Sequence, residues 1–305
     1  MAYNSKRVAI PYERAVKLGN AAVKGIFSIE VEFLEFREVR MRIYVGFDDT
    51  DNLEADQGTG KVARWFEDKL PEKCKLEGVV RQQLLINDDI PYTSHNSAAC
   101  VIVSAPDQTV RDTIIAKAVD HLEINSLEGS DPGVCVVSEE DLSLAGIIEF
   151  GYTCTRRIVT QKEAVKAACN VYLSGHGGTN DGIIGAAAAV GLTVSGWSGR
   201  FIEYGRLRDF PDVVFVSDLE RSTMVVTSVD RNATVPAPDD LVYTKGWLRP
   251  RLWGGKAVVL VVPVEEGVWE SVGERRKTRR DGKENYVALP ERRPIYYPPP
   301  TFHNS

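Results

Sequence analysis

The sequence predicts an α+β protein: an α/β domain with a ferredoxin-like subdomain inserted into it. Residues 41–70 read as strand, acidic turn, glycine turn and helix. Residues 78–137 read as strand, strand, helix, strand, an order found in ferredoxin-like units. The chain has 305 residues, 43% hydrophobic and 26% charged, an ordinary globular composition long enough for two domains with their own cores.

The first stretch carries the most chemistry. Ile43, Tyr44 and Val45 suit a buried strand, which then breaks into Asp48, Asp49, Thr50 and Asp51. Three carboxylates within four residues repel one another unless a cation joins them, and Mg²⁺ is bound through one or two carboxylates plus phosphate oxygens. Gly58, Thr59, Gly60 and Lys61 follow, and Val62 to Leu70 show helical spacing. Gly58 and Gly60 admit close backbone approach, and the helix start offers N–H groups to a phosphate. The Walker spacing is absent. Spacing alone serves a nucleotide rim and a solvated acidic turn equally well.

The ferredoxin-like order comes next. Gly78 to Ile86 reads as a strand, residues 87–96 as a polar loop, and Ser97 to Val103 as a strand of small and β-branched residues. Pro106 and Asp107 open a helix to about His121, and the turn at 129–133 leads into a strand at Val134 to Val137. Residues 142–151 read as helix or connector, and 161–173 as a helix.

A second glycine cluster runs through Gly177, Gly178, Thr179, Asn180, Asp181 and Gly182 into a helix of small residues. Such a turn suits an anion at a helix start, and equally suits tight packing on a sheet. His176 just before it is a candidate acid or base. Arg206 and Arg208 are candidates for phosphate oxygens or for open surface. Val213 to Val216, Met224 to Val226 and Ala257 to Val262 read as strands. A basic run at 274–280 and a proline-rich stretch at 294–300 make residues 265–305 an extended arm.

Composition excludes several classes. A net charge of −6 and a pI near 5.4 argue against a general nucleic-acid binder, leaving room for a local basic patch. Cys74, Cys100, Cys135, Cys154 and Cys169 form no C-x-x-C pair, so no zinc ribbon is encoded. An odd cysteine count without a secretory signal predicts reduced thiols and a cytoplasmic location. No apolar run reaches the roughly 18 residues of a membrane span, so no membrane partner is expected.

The run MRIYVGFDDTDN resembles the opening of the archaeal tRNA(Ile) 2-agmatinylcytidine synthetase (TiaS)-like family, which has a hydrophobic strand, a DDTD motif and a threonine before the first helix. The resemblance implies ATP and Mg²⁺ as cofactors. It makes Asp48, Asp49 and Asp51 metal ligands, and Thr59 and Asp49 the catalytic residues. It matches Asp48 to the nucleotide's acidic motif with Thr50 inside that motif, and Gly58 and Gly60 join them as nucleotide-binding candidates from the glycine turn itself. Gly177, Gly178, Thr179, Asn180, Asp181 and Gly182 match the family's second glycine turn and are implied to bind the nucleotide too. In the loop at 87–96, Asn87, Ile90, Pro91, Thr93 and Asn96 match the family. The family's lysine has no counterpart there, its arginine is Ser94 and its glycine is His95. Asn87, Thr93, His95 and Asn96 are the implied substrate contacts, joined by Arg206 of a Tyr-x-Arg element.

The resemblance spans residues 41–264, the family's catalytic part. It implies a kinase-like domain from 41–77 and 160–264, with the ferredoxin-like insertion at 78–159. Because it starts at Met41, the native start codon is expected there, with residues 1–40 an N-terminal extension. The oligonucleotide-binding domain and zinc ribbon that hold tRNA in family members have no counterpart. The expected activity is ATP- and Mg²⁺-dependent activation of a substrate oxygen by phosphoryl transfer, with amine ligation as a following step. The substrate is RNA or a small molecule, and tRNA would be held through a partner protein or the basic arm. The alternative is a non-catalytic ATP-binding sensor or scaffold.

Overall fold

The computed structural model describes residues 40–52, 55, 57–90, 95–141 and 144–273, and the backbone of 277–280 and 283–286. Among the described residues, twelve strands form one large, mostly antiparallel sheet in a mixed α/β architecture. The strands that position the site are β1 (Met41–Asp48), β2 (Lys75–Gln83), β3 (Ser97–Ala105), β4 (Gly133–Ser138), β5 (Tyr172–Gly175) and β6 (Arg200–Glu203). Their spatial order is β5-β4-β1-β3-β2-β6. The sheet continues through β10 (Arg251–Trp253), β11 (Lys256–Glu265), β12 (Val268–Ser271), β9 (Leu241–Tyr243) and β7 (Val213–Phe215), while β8 (Val225–Ser228) pairs with β11. Only β8 with β11 and β9 with β12 run parallel among these described pairs.

β1 lies between β3 and β4, with Val45 opposite both Val101 and Val136. Residues 41–77 and 78–159, expected in two bodies, therefore share one sheet. Strand alternation explains why. Ile43, Val45 and Phe47 face one core with Val101, Val103, Val134 and Val136, and Tyr44 faces another with Cys100, Ile102 and Cys135. Both faces of β1 are buried, so its sequence is a near-continuous apolar run instead of a half-polar alternation.

Helices cover both faces. On one side lie α1 (Thr59–Trp65), continued by a 3₁₀ turn at Phe66–Lys69, and α2 (Arg111–Asn125). Ala63, Phe66, Ile114, Ala118 and Leu122 supply their buried contacts. Burying a side chain such as Phe66 or Leu122 stabilises by roughly 1.5–3 kcal/mol. On the other side lie α3 (Leu144–Cys154), α4 (Gln161–Ala167) and α5 (Gly182–Val194). The small residues of α5 let it rest on the sheet: a Cβ on Gly46 of β1 would stand 2.2 Å from the Ala186 carbonyl oxygen. Helix α6 (Val216–Arg221) follows β7.

Several expected elements shift. The helix expected over 161–173 ends at Ala167, and Tyr172–Gly175 form the edge strand β5. Thr160 and Glu163 make a capping box that fixes the start of α4. The expected arm at 265–305 begins inside the sheet, because Val268–Ser271 pair with both β11 and β9. Residues 277–280 and 283–286 pair as a hairpin, β13 and β14, and 287–305 lie outside the described residues, as do 1–39. No helix among the described residues is long and apolar enough to cross a membrane.

Candidate active site at the acidic turn

β1 ends in the acidic turn, and α5 sets its shape. The Asp48 carboxyl packs against the bare Cα of Gly185, where a Cβ would stand 1.8 Å from Oδ2. Burial, reinforced by Asp49 and Asp51, pushes the Asp48 carboxyl up to about 8. Asp49 turns the chain with a φ of 53°. Burial pushes its carboxyl up to about 6, partly offset by a hydrogen bond from the Asp131 backbone, with Asp131, Asp51 and Asp181 adding like charge. Four aspartates beyond Asp48 thus crowd one rim.

The crowded carboxylates have the oxygen chemistry of a hard-cation site. Among the described residues, however, no three or more His, Cys, Asp or Glu side chains are gathered as a ligand set. The expected trio Asp48, Asp49 and Asp51 is not a preformed cage. A divalent cation here would need phosphate oxygens to complete its shell.

Thr59 lies at the boundary between this rim and a cleft. It is buried, and its Oγ1 is 3.2 Å from Thr50 Oγ1 and accepts from Thr50 N–H at 3.4 Å. Thr50 is itself fully buried. Gly58 faces Asp51 across the turn, its Cβ position 3.4 Å from Oδ2. Helix α1 is held in place by His121, whose Nε2–H donates to the Val62 carbonyl at 2.9 Å. Asn125 Nδ2 lies 3.2 Å from Nδ1, and burial lowers the imidazole's pKa; both favour the neutral Nε2–H ring. The ring also packs edge-on against Phe47 and tilted against Phe66.

The cleft has a volume of about 270 Å³. Asp51 and Gly58 to Lys61 form one wall. Arg64, Arg81, Arg208, Arg249 and His95 supply most of the remaining polar lining. Arg81 Nε donates to Ser97 Oγ at 2.9 Å. Arg208 pairs with Glu203 at 3.5 Å. Burial, then the charges of Arg208 and Arg64, hold Arg249 down to about 10. α1 has seven residues, so the cleft's positive character comes from side chains more than from a helix dipole.

The second glycine turn is built around Asp131. Thr179 N–H donates to Asp131 Oδ1 at 2.9 Å, and its hydroxyl donates to Asp131 Oδ2. Gly178, at φ 51°, sits so close to Asp131 that only a glycine fits. Gly182 N–H goes to the Asp131 carbonyl and Asn180 N–H to Gly177. Within this turn the Asp131 carboxylate is thus held by the N–H and hydroxyl of Thr179, and the Asp131 main-chain carbonyl by Gly182 N–H. Asp181 accepts from Gln161 Nε2. Asn180 instead lines a second cleft of about 450 Å³, walled by Val165, Val171, Leu173 and Ile183. His176 is tied to Ser174 Oγ at 2.7 Å and to Glu123 at 3.0 Å.

The expected substrate contacts separate. His95 reaches the cationic cleft. Asn87 accepts from Asp89 N–H and Asn96 donates to the Leu85 carbonyl, so both close their own loop. Thr93 lies outside the described residues. Arg206 has a side chain 87% exposed and pairs with Asp209 at 3.9 Å, while its neighbour Arg208 lines the cleft. Sequence reasoning missed Arg64, Arg81, Arg249 and Asp131. Asp131 carried a local signal in the turn Asp131-Pro132-Gly133, which resembles a family turn, and Arg249 carried one in standing two residues after Trp247.

No protein-family model matches the chain, and no curated protein matches it. Among solved structures, the crystal structure of a tRNA fluorescent labeling enzyme is 26% identical, with a TM-score of 0.43, over 50% of this chain and 36% of that one. The crystal structure of TiaS in complex with its isoleucine tRNA and ATP is likewise 26% identical, with a TM-score of 0.43 over 50% and 36%. Apo TiaS, a tRNA agmatidine synthetase, is 24% identical with a TM-score of 0.42 over 50% and 35%. About half of this chain is therefore similar to TiaS structures, and the match spans little more than a third of their length.

Proposed function

We propose that this chain is an ATP- and Mg²⁺-dependent phosphoryl-transfer enzyme that activates a substrate oxygen, with RNA as its acceptor class and amine ligation as the step that follows. One observation carries the reading: the Thr59 hydroxyl sits between the carboxylate rim and the cationic cleft, joined to the rim through Thr50 at 3.2 Å. A phosphoryl acceptor needs that position, because the two surfaces hold opposite charges of the same donor. The DDTD motif and the threonine before the first helix, as a resemblance, support it from the sequence side.

Each residue has a role. Asp48, Asp49 and Asp51 would hold the cation, two of them at a time, and that cation would supply charge neutralisation on the phosphates. Lys61, Arg64 and Arg208 neutralise phosphate oxygens in the cleft. The Thr59 Oγ–P bond forms as the bond from the γ-phosphorus to its bridging oxygen breaks. ADP would leave with that electron pair and the hydroxyl proton would pass to Asp51, which lines the same cleft. The phosphoryl group would then move to the substrate oxygen, the new O–P bond forming as the Thr59 Oγ–P bond breaks and Thr59 regains its proton. The positive cleft also answers the chain's overall acidity: an anionic acceptor meets a local patch of arginines.

The test is intact-mass measurement after incubation with γ-labelled ATP and Mg²⁺, comparing wild type with Thr59→Ala. Label on the wild type that is lost in the variant is the expected result. Nucleotide binding without label or hydrolysis would favour a sensor or scaffold, and absence of nucleotide binding would remove both readings.

A further inference from the structure

Four guanidinium groups line the cleft that contains Thr59, and three of them, from distant parts of the chain, act on one another as like charges. Arg64 comes from α1, Arg208 follows β6, and Arg249 precedes β10. Arg64 and Arg249 both feel Arg208 as like charge, and Glu203 is the carboxylate that opposes them. Such crowding does not stabilise a fold, because each cation raises the cost of its neighbour. It is relieved when an anion enters.

Arg249 is the most firmly placed of the three. Leu248 before it is buried, and the Pro250 carbonyl after it accepts from Phe201 N–H at 2.8 Å. Its Nη1 donates to the Leu248 carbonyl at 2.7 Å, and its Cζ lies 3.4 Å over the Trp247 ring. Both grips orient the guanidinium plane before any ligand arrives. By contrast, Arg208 pairs with Glu203 and has a side chain 43% exposed.

We propose that Arg249 is a catalytic residue, the guanidinium that meets the equatorial oxygens of the phosphoryl group as it passes to Thr59. This rests on the phosphoryl-transfer reading above. In such a transfer charge spreads over three oxygens, and a planar fork already fixed in position stabilises it without reorganising at the moment of reaction. Arg249 takes no proton and forms no bond.

The test measures the rate of Thr59 labelling from γ-labelled ATP against ATP concentration for wild type, Arg249→Ala and Arg249→Lys. We expect Arg249→Ala to lower the maximal rate by about 10²- to 10³-fold with the half-saturating ATP concentration changed by less than about threefold. Added guanidinium should restore part of the rate to Arg249→Ala and none to Arg208→Ala. Arg249→Lys, which keeps the charge but loses the fork, should stay well below wild type while melting at the wild-type temperature. A rise in half-saturating concentration alone, an unchanged rate, or no guanidinium rescue in a folded variant overturns the proposal. Absence of label on wild type instead overturns the phosphoryl-transfer reading itself.

Discussion

The carboxyl of Asp48 lies on the Cα of Gly185, with room for no further carbon: a Cβ there would meet Oδ2 at 1.8 Å. One residue ends β1 and the other lies in the first turn of the helix that covers it, so a single contact couples the acidic turn to the core.

Gly185→Ala should therefore destabilise the protein by about 1–3 kcal/mol, the usual cost of overpacking a site that cannot relax. It should also push the Asp48 carboxyl outward and weaken Mg²⁺-dependent nucleotide binding. Urea unfolding with constant slope checks the first effect, and titration calorimetry the second.

The same contact sets a pH dependence. The Asp48 carboxyl is raised to about 8 in the folded protein, against an ordinary value of 3.8. Between about pH 4 and 8 the folded state holds a proton that the unfolded state has lost. Its contribution to stability is full below pH 4 and falls away as pH rises through 8. Relative to wild type, Asp48→Asn should gain stability steadily across that window, and Mg²⁺ with nucleotide should restore the wild type most at the alkaline end. Thermal melts at matched ionic strength from pH 4 to 9 would show parallel curves if this assignment is mistaken.

Asp131 makes a third prediction. Replacing it with asparagine removes the charge from two hydrogen bonds to Thr179 and should cost about 1–3 kcal/mol. Amides from 178 to 182 should exchange faster with solvent. Because the loop's donors serve Asp131, ATP affinity should change by less than about threefold. A large loss of affinity would return this turn to the phosphate.

Much of the local structure was legible. β1, β3 and β4 follow from runs of β-branched residues, and α5 from its stretch of small ones, because periodicity and propensity act over a few residues. The placement of Thr59 beside the acidic turn was legible too, since both lie within one strand-turn-helix segment. That strands of 41–77 and 78–159 pair in one sheet was not legible, because strand order depends on pairing partners far along the chain. The helix over 161–173 was overextended because Tyr172 and Leu173 fit either periodicity, and pairing with β4 decides it.

The sequence by itself determined the acidic turn, the glycine turn, the threonine that opens the first helix and the acidic overall charge, all properties of composition or short spacing. Tertiary structure alone decided that β1 lies between β3 and β4, that Asp131 fills the second glycine turn, and that Arg208 rather than Arg206 faces the cleft. It also brought Arg249 to Arg64 from the far end of the chain. The physical reason is range: backbone propensity is set by neighbours in sequence, whereas a charged cleft is assembled by sheet pairing between segments that no spacing rule connects.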